Sequence, residues 1–260
     1  MIRYFMKKYV LFRISSKGYP KIKVDTLSKL DCLFNLMSIF KGWEFICVAD
    51  NCDESLLAHL KSQEFSILLE TNLGNPGSFW RLYEVALGLA KNKDIFYFVE
   101  DDYWHLPQAP TAIIEGLQYF DYVTSYDHPD KYRESNGVLN PYAKLNQFSE
   151  STQVVRGNAF LWRTSNSTTM TFGLLGKTLI ADADIWSMTS YRKGDYDFEI
   201  FSTLTKQAFL LRKRYLYLLS KMKFFFKPKR YLGVCVPGLS LHLEIAYLSR
   251  KDIERFQLPI

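Results

Sequence analysis

The stretch Ile95-Phe96-Tyr97-Phe98-Val99-Glu100-Asp101-Asp102 decides the fold. Five apolar or aromatic residues in a row, with no polar alternation, describe a strand buried on both faces, as in the middle of a parallel sheet. The run ends abruptly in three carboxylates. Along an extended chain Glu100 and Asp102 point to one side and Asp101 to the other. Like charges this close repel, so the triplet costs stability unless a cation compensates it. A hard divalent ion, Mg2+ or Mn2+, takes carboxylate oxygens and shares its other positions with phosphates and water. A solvated acidic turn is the competing explanation.

Upstream, strand and helix alternate. Tyr9 to Ile14 is a short β-prone run ending in Ser15-Ser16-Lys17-Gly18. Asp25 can cap a helix with Leu27, Leu30, Phe34 and Met37 on its apolar stripe. Glu44 to Ala49 is a second strand closed by Asp50-Asn51, and Glu54 to Ser62 a short helix. Ser66 to Leu69 is a third strand, and Asn72 to Ser78 a loop around Asn75-Pro76-Gly77. Phe79, Leu82, Tyr83, Ala86 and Leu87 then mark one face of a helix. This alternation predicts βαβ units and a mostly parallel sheet flanked by helices. Ligands of such sheets sit outside the carboxyl ends of the strands, where Ser15, Asp50, Asn72 and the triplet fall.

Downstream the pattern loosens. Asp121 to Tyr126 reads as a strand, Lys131 to Glu150 as a long irregular loop, Val154 to Trp162 as a strand interrupted by Gly157, and Asp197 to Phe209 as a helix. The net charge of +6 is local. Nine Lys or Arg and no acid lie between Ile200 and Leu243, leaving 24 of the 33 basic residues against 27 acidic ones elsewhere. Within Lys206 to Arg230 the basic residues interleave with Leu, Tyr and Phe, which suits a helix resting on an anionic membrane surface and equally a solvated helix packed on the core. No recognised nucleic-acid module accompanies the segment, so no nucleic-acid partner is expected.

Cys32, Cys47, Cys52 and Cys235 show neither metal-ligand nor disulfide spacing. With no signal-peptide pattern over Met1 to Arg13 and no run of ~18 apolar residues, the sequence predicts a cytoplasmic protein, free or peripheral on the inner face of a membrane. Aromatic residues make up 16% of the chain, which suits ring stacking and equally an AT-rich coding bias.

In this order of elements the chain resembles the nucleotide-binding half of GT-A glycosyltransferases, especially inverting enzymes related to glycosyltransferase family 2. The resemblance is clearest over residues 9–105. It extends to Thr169-Met170-Thr171-Phe172, to Gly194-Asp195-Tyr196-Asp197-Phe198-Glu199, and to Pro237-Gly238-Leu239-Ser240-Leu241-His242-Leu243-Glu244. It implies one GT-A domain with a nucleotide-sugar-binding half (9–105), an acceptor-binding half (106–205), and a basic helical and His-bearing segment (206–260). It further implies that Arg13, Ile14 and Ser15 flank base and ribose, Asp50 hydrogen-bonds the base, and Asn72 and Asp101 lie with the donor-binding residues. Glu100 would reach the ribose or a metal-bound water. Asp102 and His242 would bind the metal.

The general base would come from the acidic group opening a helix: Asp197 foremost, with Asp195 and Glu199 beside it. Helix capping is the competing role for Asp195 or Asp197. Trp162, Trp186 and Tyr196 read either as acceptor-stacking faces or as core, and His105 as a possible donor-sugar contact. Glu100 departs from the Asp usual at that position, and the Pro-x-Tyr-Asn ending of the first strand is absent. The function implied is sugar transfer from a nucleotide-sugar to a hydroxyl of a glycan or lipid-linked acceptor, with inversion. The alternatives are a sugar-nucleotide nucleotidyltransferase and a non-catalytic glycan- or membrane-binding protein on the same scaffold.

Overall fold

A computed structural model describes residues 6–17, 24, 26–132, 150–187, 197–207, 226–245, 248 and 250–258. Its framework is a nine-stranded sheet of order β3-β2-β1-β4-β9-β6-β10-β8-β7. The strands are β1 (Lys8–Ile14), β2 (Glu44–Asp50), β3 (Ile67–Thr71), β4 (Ile95–Glu100), β6 (Tyr122–Thr124), β7 (Val154–Arg156), β8 (Leu161–Ser165), β9 (Phe172–Leu175) and β10 (Leu232–Val236). Every strand but β8 and β9 runs in one direction. A separate two-stranded sheet pairs β5 (Tyr103–His105) antiparallel with β11 (Ser240–His242).

Alternation along the central strands feeds two cores. Val10, Phe12, Ile14, Cys47, Tyr97 and Val99 point to one face of the sheet. There they meet α1 (Lys29–Ile39), α2 (Glu54–Lys61) and α4 (Ala109–Gly116) through Leu33, Leu36, Leu60 and Ile113. Tyr9, Leu11, Ile46, Phe96 and Phe98 point to the other face. These pack on α3 (Gly74–Leu89), α5 (Gly176–Ala181), α6 (Ala183–Trp186) and α7 (Asp197–Leu204) through Phe79, Tyr83, Leu179, Trp186 and Phe201. Two buried faces explain why β4 is apolar or aromatic from Ile95 to Val99. The arrangement is the mostly parallel, helix-flanked α/β sheet that the sequence predicts.

Several local expectations are corrected. The first helix is capped by Ser28, whose side chain accepts from the Asp31 N–H while the Asp31 carboxylate accepts from the Ser28 N–H. This capping box starts the helix three residues after Asp25, which itself lies outside the described residues, and turns Cys32, Leu33 and Leu36 inward while Phe34 is exposed. Asn75-Pro76-Gly77 is not a loop but the first turn of α3, where proline's missing N–H costs nothing. Val154 to Trp162 is a hairpin of β7 and β8, closed where the Gly157 N–H donates to the Phe160 carbonyl (2.9 Å). A Cβ at Gly157 would stand 2.1 Å from a Glu115 carboxylate oxygen, so a side chain cannot be fitted there without displacing it.

The last helix, α8 (Arg250–Phe256), closes a small cluster of Val24, Cys32, Leu241, Leu243 and Phe256 beside the β5–β11 sheet. All four cysteines are free thiols. Among the described residues no helix is long and apolar enough to cross a membrane. The helix expected over Asp197 to Phe209 ends at Leu204, with Lys206 at positive φ, and the basic segment Lys206 to Arg230 and the loop expected over Lys131 to Glu150 lie mostly outside the described residues.

Candidate active site at the carboxyl edge

β1, β2 and β4 deliver Arg13, Asp50 and the triplet to one edge. The three carboxylates separate as strand geometry requires, and each has a basic partner. Glu100 meets Arg13 directly across the strands, Nη2 to Oε1 at 2.9 Å. Asp101 turns the other way, accepting from Lys29 Nζ at 2.6 Å and from the Ser15 N–H at 3.1 Å. Asp102 stands 3.0 Å from Nε2 of His242. The repulsion that made the triplet conspicuous is therefore answered by Arg13 at Glu100 and Lys29 at Asp101, while Asp102 faces the His242 imidazole; all three partners are remote in sequence. Burial still pushes the Glu100 pKa above the usual carboxylate range; Arg13 opposes this, while the charges of Asp102 and Asp197 add to it.

Arg13 is itself held by α3. Its Nη1 donates to the Asn75 carbonyl (2.6 Å), to the Asn75 side-chain oxygen and to Ser78 Oγ (3.5 Å). Asp50 accounts for the helix start. Its two oxygens accept from Thr71 Oγ1 (2.8 Å), the Leu73 N–H (2.7 Å), the Gly74 N–H (3.0 Å) and Asn51 Nδ2 (2.8 Å). Burial alone would raise its pKa; these donors, the Leu73 N–H foremost, hold the carboxyl below its ordinary value. Asp50 thus caps α3 from a neighbouring strand, and a base would have to displace one of four donors to reach it. Asn72 lies exposed between β3 and α3.

His242 reaches Asp102 through strand pairing. Tyr103 faces His242 and His105 faces Ser240 across β5–β11, and the Leu243 N–H donates to the Asp102 carbonyl (2.9 Å). The imidazole lies flat on the Tyr103 ring, centroids 4.9 Å apart, and its Nδ1 is 3.9 Å from a Glu244 oxygen. Two ligands at right angles around an ion at ~2.1 Å stand about 3.0 Å apart, so the Asp102–His242 spacing fits adjacent positions on Mg2+ or Mn2+. Among the described residues no three His, Cys, Asp or Glu side chains form a metal-holding group. The donor set suits an ion that takes its remaining oxygens from phosphate and water.

Asp197 opens α7 and its Oδ1 accepts from the Phe198 N–H (2.7 Å). Its charge acts on Glu100, so it belongs to the same electrostatic neighbourhood. Glu199 follows, half-buried, on α7; Asp195 and Tyr196 lie outside the described residues.

Three aromatic assignments resolve as core. Trp162 is buried and donates to Glu115 (3.3 Å), and Trp186 is buried and donates to the Tyr122 hydroxyl (3.0 Å). His105 does not line the site. It is buried under Phe40, its Nε2 2.8 Å from the Tyr97 hydroxyl, and burial lowers its pKa to about 3 despite a backbone contact with Tyr103 that raises it. The sequence reading missed Lys29, Asn75 and Ser78; only a three-dimensional contact, 62 to 72 residues away in the chain, marks them.

A crossed α/β sheet with its polar residues at the carboxyl edge of the parallel strands defines the class: a GT-A-type, Rossmann-like fold. The chain matches no protein-family model and no curated protein. Among solved structures it is similar to GalNAc-T7, determined with UDP, GalNAc and Mn2+, at a TM-score of 0.51 and 10% identity, over 92% of this chain and 44% of that one. It is also similar to the 4-diphosphocytidyl-2C-methyl-D-erythritol synthase of Anaerococcus prevotii, at a TM-score of 0.48 and 11% identity over 96% and 94% of the two chains. A third similarity is to the S. aureus protein TarS (residues 1–349), at 0.43 and 15% over 85% and 73%. At these identities the likeness concerns the fold.

Proposed function

We propose that the protein is a divalent-metal-dependent glycosyltransferase that moves a sugar from a nucleotide-sugar to a hydroxyl of a glycan or lipid-linked acceptor, with inversion. The observation that carries this reading is the Asp102–His242 pair at 3.0 Å, assembled at the carboxyl edge by β5–β11 pairing. Asp102 and His242 would hold the ion, which on binding would neutralise the departing diphosphate. Arg13 fixes Glu100 in place to receive the ribose. Asp197, whose charge acts on Glu100, takes the proton of the acceptor hydroxyl as it attacks. GalNAc-T7, which shares the fold, was solved with a nucleotide and Mn2+.

A nucleotidyltransferase would need basic groups directed at a triphosphate, and the Arg13 guanidinium is committed to Glu100, Asn75 and Ser78. In the basic segment 206–230, Lys227 and Arg230 pair with Asp184 and Asp182, so contact with anionic lipid would rest on the other seven basic residues, Lys206, Arg212, Lys213, Arg214, Lys221, Lys223 and Lys229. The test is incubation with a panel of nucleotide-sugars and Mn2+, reading nucleoside diphosphate. Metal-dependent release supports glycosyl transfer. Pyrophosphate release from a nucleoside triphosphate and a sugar phosphate would replace it with nucleotidyl transfer, and no turnover in either assay would favour a binding protein.

A further inference from the structure

A buried chain of hydroxyls runs beneath the candidate metal pair. Tyr97 points from the middle of β4 into the core, its ring stacked on Phe40 with centroids 5.1 Å apart. Its hydroxyl lies 2.8 Å from His105 Nε2 on β5 and 3.0 Å from Ser125 Oγ just after β6. Ser125 Oγ lies 2.9 Å from Ser240 Oγ on β11. One side-chain relay therefore joins β4, β5, β6 and β11. Each hydroxyl can donate to one neighbour and accept from the other, and His105, kept neutral, accepts at Nε2 when Tyr97 donates.

The relay ends one pair away from the site. His105 and Ser240 are cross-strand partners, and the next pair on the same face of the small sheet is Tyr103 and His242. The Leu239 and Ser240 N–H groups also donate to the Ser125 carbonyl, at 2.6 and 3.0 Å, so the Ser125 side chain and main chain grip β11 together. A burial cost for four polar groups is sustained where an apolar core would cost less. Among the described residues His105 Nδ1 has no hydrogen-bond partner, but the three linked contacts through Tyr97, Ser125 and Ser240 are directional and favour one arrangement of the strands they join.

We propose that Tyr97, with Ser125 and Ser240, is a positioning residue for the metal pair: its hydroxyl sets the stand of β11, and hence of His242 against Asp102. The inference rests on the metal reading of that pair. The experiment titrates the full chain with Mn2+ alone and follows free Mn2+ by its electron paramagnetic resonance signal, a readout independent of turnover. Tyr97→Phe keeps the ring stack and removes the hydroxyl; Mn2+ binding is expected to weaken by about 10–100-fold, as for partners outside the first coordination sphere. Ser125→Ala, a smaller truncation, is expected to weaken it in the same direction.

Trp162→Phe removes another buried hydrogen bond, to Glu115, and controls for general loss of stability: it is expected to bind Mn2+ as the parent does. A Tyr97→Phe/His242→Ala double variant should bind no more weakly than His242→Ala, because Tyr97 acts through His242. Weakened binding in His242→Ala with parental binding in Tyr97→Phe and Ser125→Ala overturns the relay alone. Parental binding in His242→Ala overturns the metal reading and the relay together.

Discussion

At the carboxyl edge of the sheet Glu100, Asp101 and Asp102 face Arg13, Lys29 and His242; at the amino edge Asp121, Asp182 and Asp184 face Arg230 and Lys227. The amino edge is locked. Arg230 grips both oxygens of the buried Asp182, Nε at 2.8 Å and Nη2 at 2.8 Å, and the Tyr122 hydroxyl adds a third donor at 2.9 Å. Guanidinium stays charged at any ordinary pH and its planar fork matches a carboxylate, so this contact has no second state. At the carboxyl edge Asp102 is met by an imidazole, a side chain that commonly ligates metals. The same carboxylate chemistry thus serves as a rivet on one edge and, in the proposed function, as an exchangeable partner on the other. The choice of base makes the difference.

The largest effect expected from this contrast is at Asp102. Asp102→Asn replaces an anionic oxygen with an amide and should reduce Mn2+-supported nucleoside diphosphate release to background, with little change in thermal midpoint. Undiminished release at limiting Mn2+ would remove Asp102 from the site. Next comes Asp197→Asn, which should leave donor binding nearly intact while transfer falls ~10²–10⁴-fold. A capping role gives another outcome, because Asn caps about as well as Asp. Asp195→Asn is the control, and loss of activity there alone would move the base by two residues.

The amino edge should respond in the opposite currency. Arg230→Ala leaves Asp182 buried without its cation and should cost about 3–5 kcal/mol in chemical denaturation, while release per folded molecule holds. A loss of activity at full stability would break the division between edges.

The effect smallest over any single step, though it accumulates, concerns pH. Burial keeps His105 neutral down to about pH 3, against an ordinary value of ~6.5, so the unfolded chain binds a proton that the folded chain refuses between those values. Stability from this group is complete above ~6.5 and declines as pH falls towards 3, by up to ~1.4 kcal/mol per unit. His105→Gln should flatten that part of the curve; an unchanged slope would assign it to other groups.

How much of this the sequence discloses depends on distance along the chain. The run from Ile95 into Glu100-Asp101-Asp102 is legible because strand burial and side alternation are local properties, and Asp101 does turn away from its neighbours. The start of α3 is not legible, because its cap, Asp50, arrives from β2 and the intervening Asn-Pro-Gly looks like a turn. The β7–β8 hairpin is hidden because the β-prone residues Val154, Val155, Phe160, Leu161 and Trp162 lie so close on either side of Gly157 that they read as one strand. Arg13, Lys29 and His242 each find their carboxylate across the fold, and no periodicity announces such a meeting.

The Asp102–His242 contact closes a loop of 140 residues. Contacts of that separation carry the largest loop-closure entropy and form late, after local βαβ units have collapsed. During synthesis, residues 8–105 emerge and can begin to assemble well before residues 240–242 leave the ribosome. The proposed nucleotide side of the site would therefore mature first, and the molecule would acquire its proposed metal pair only after the segment carrying His242 has been made.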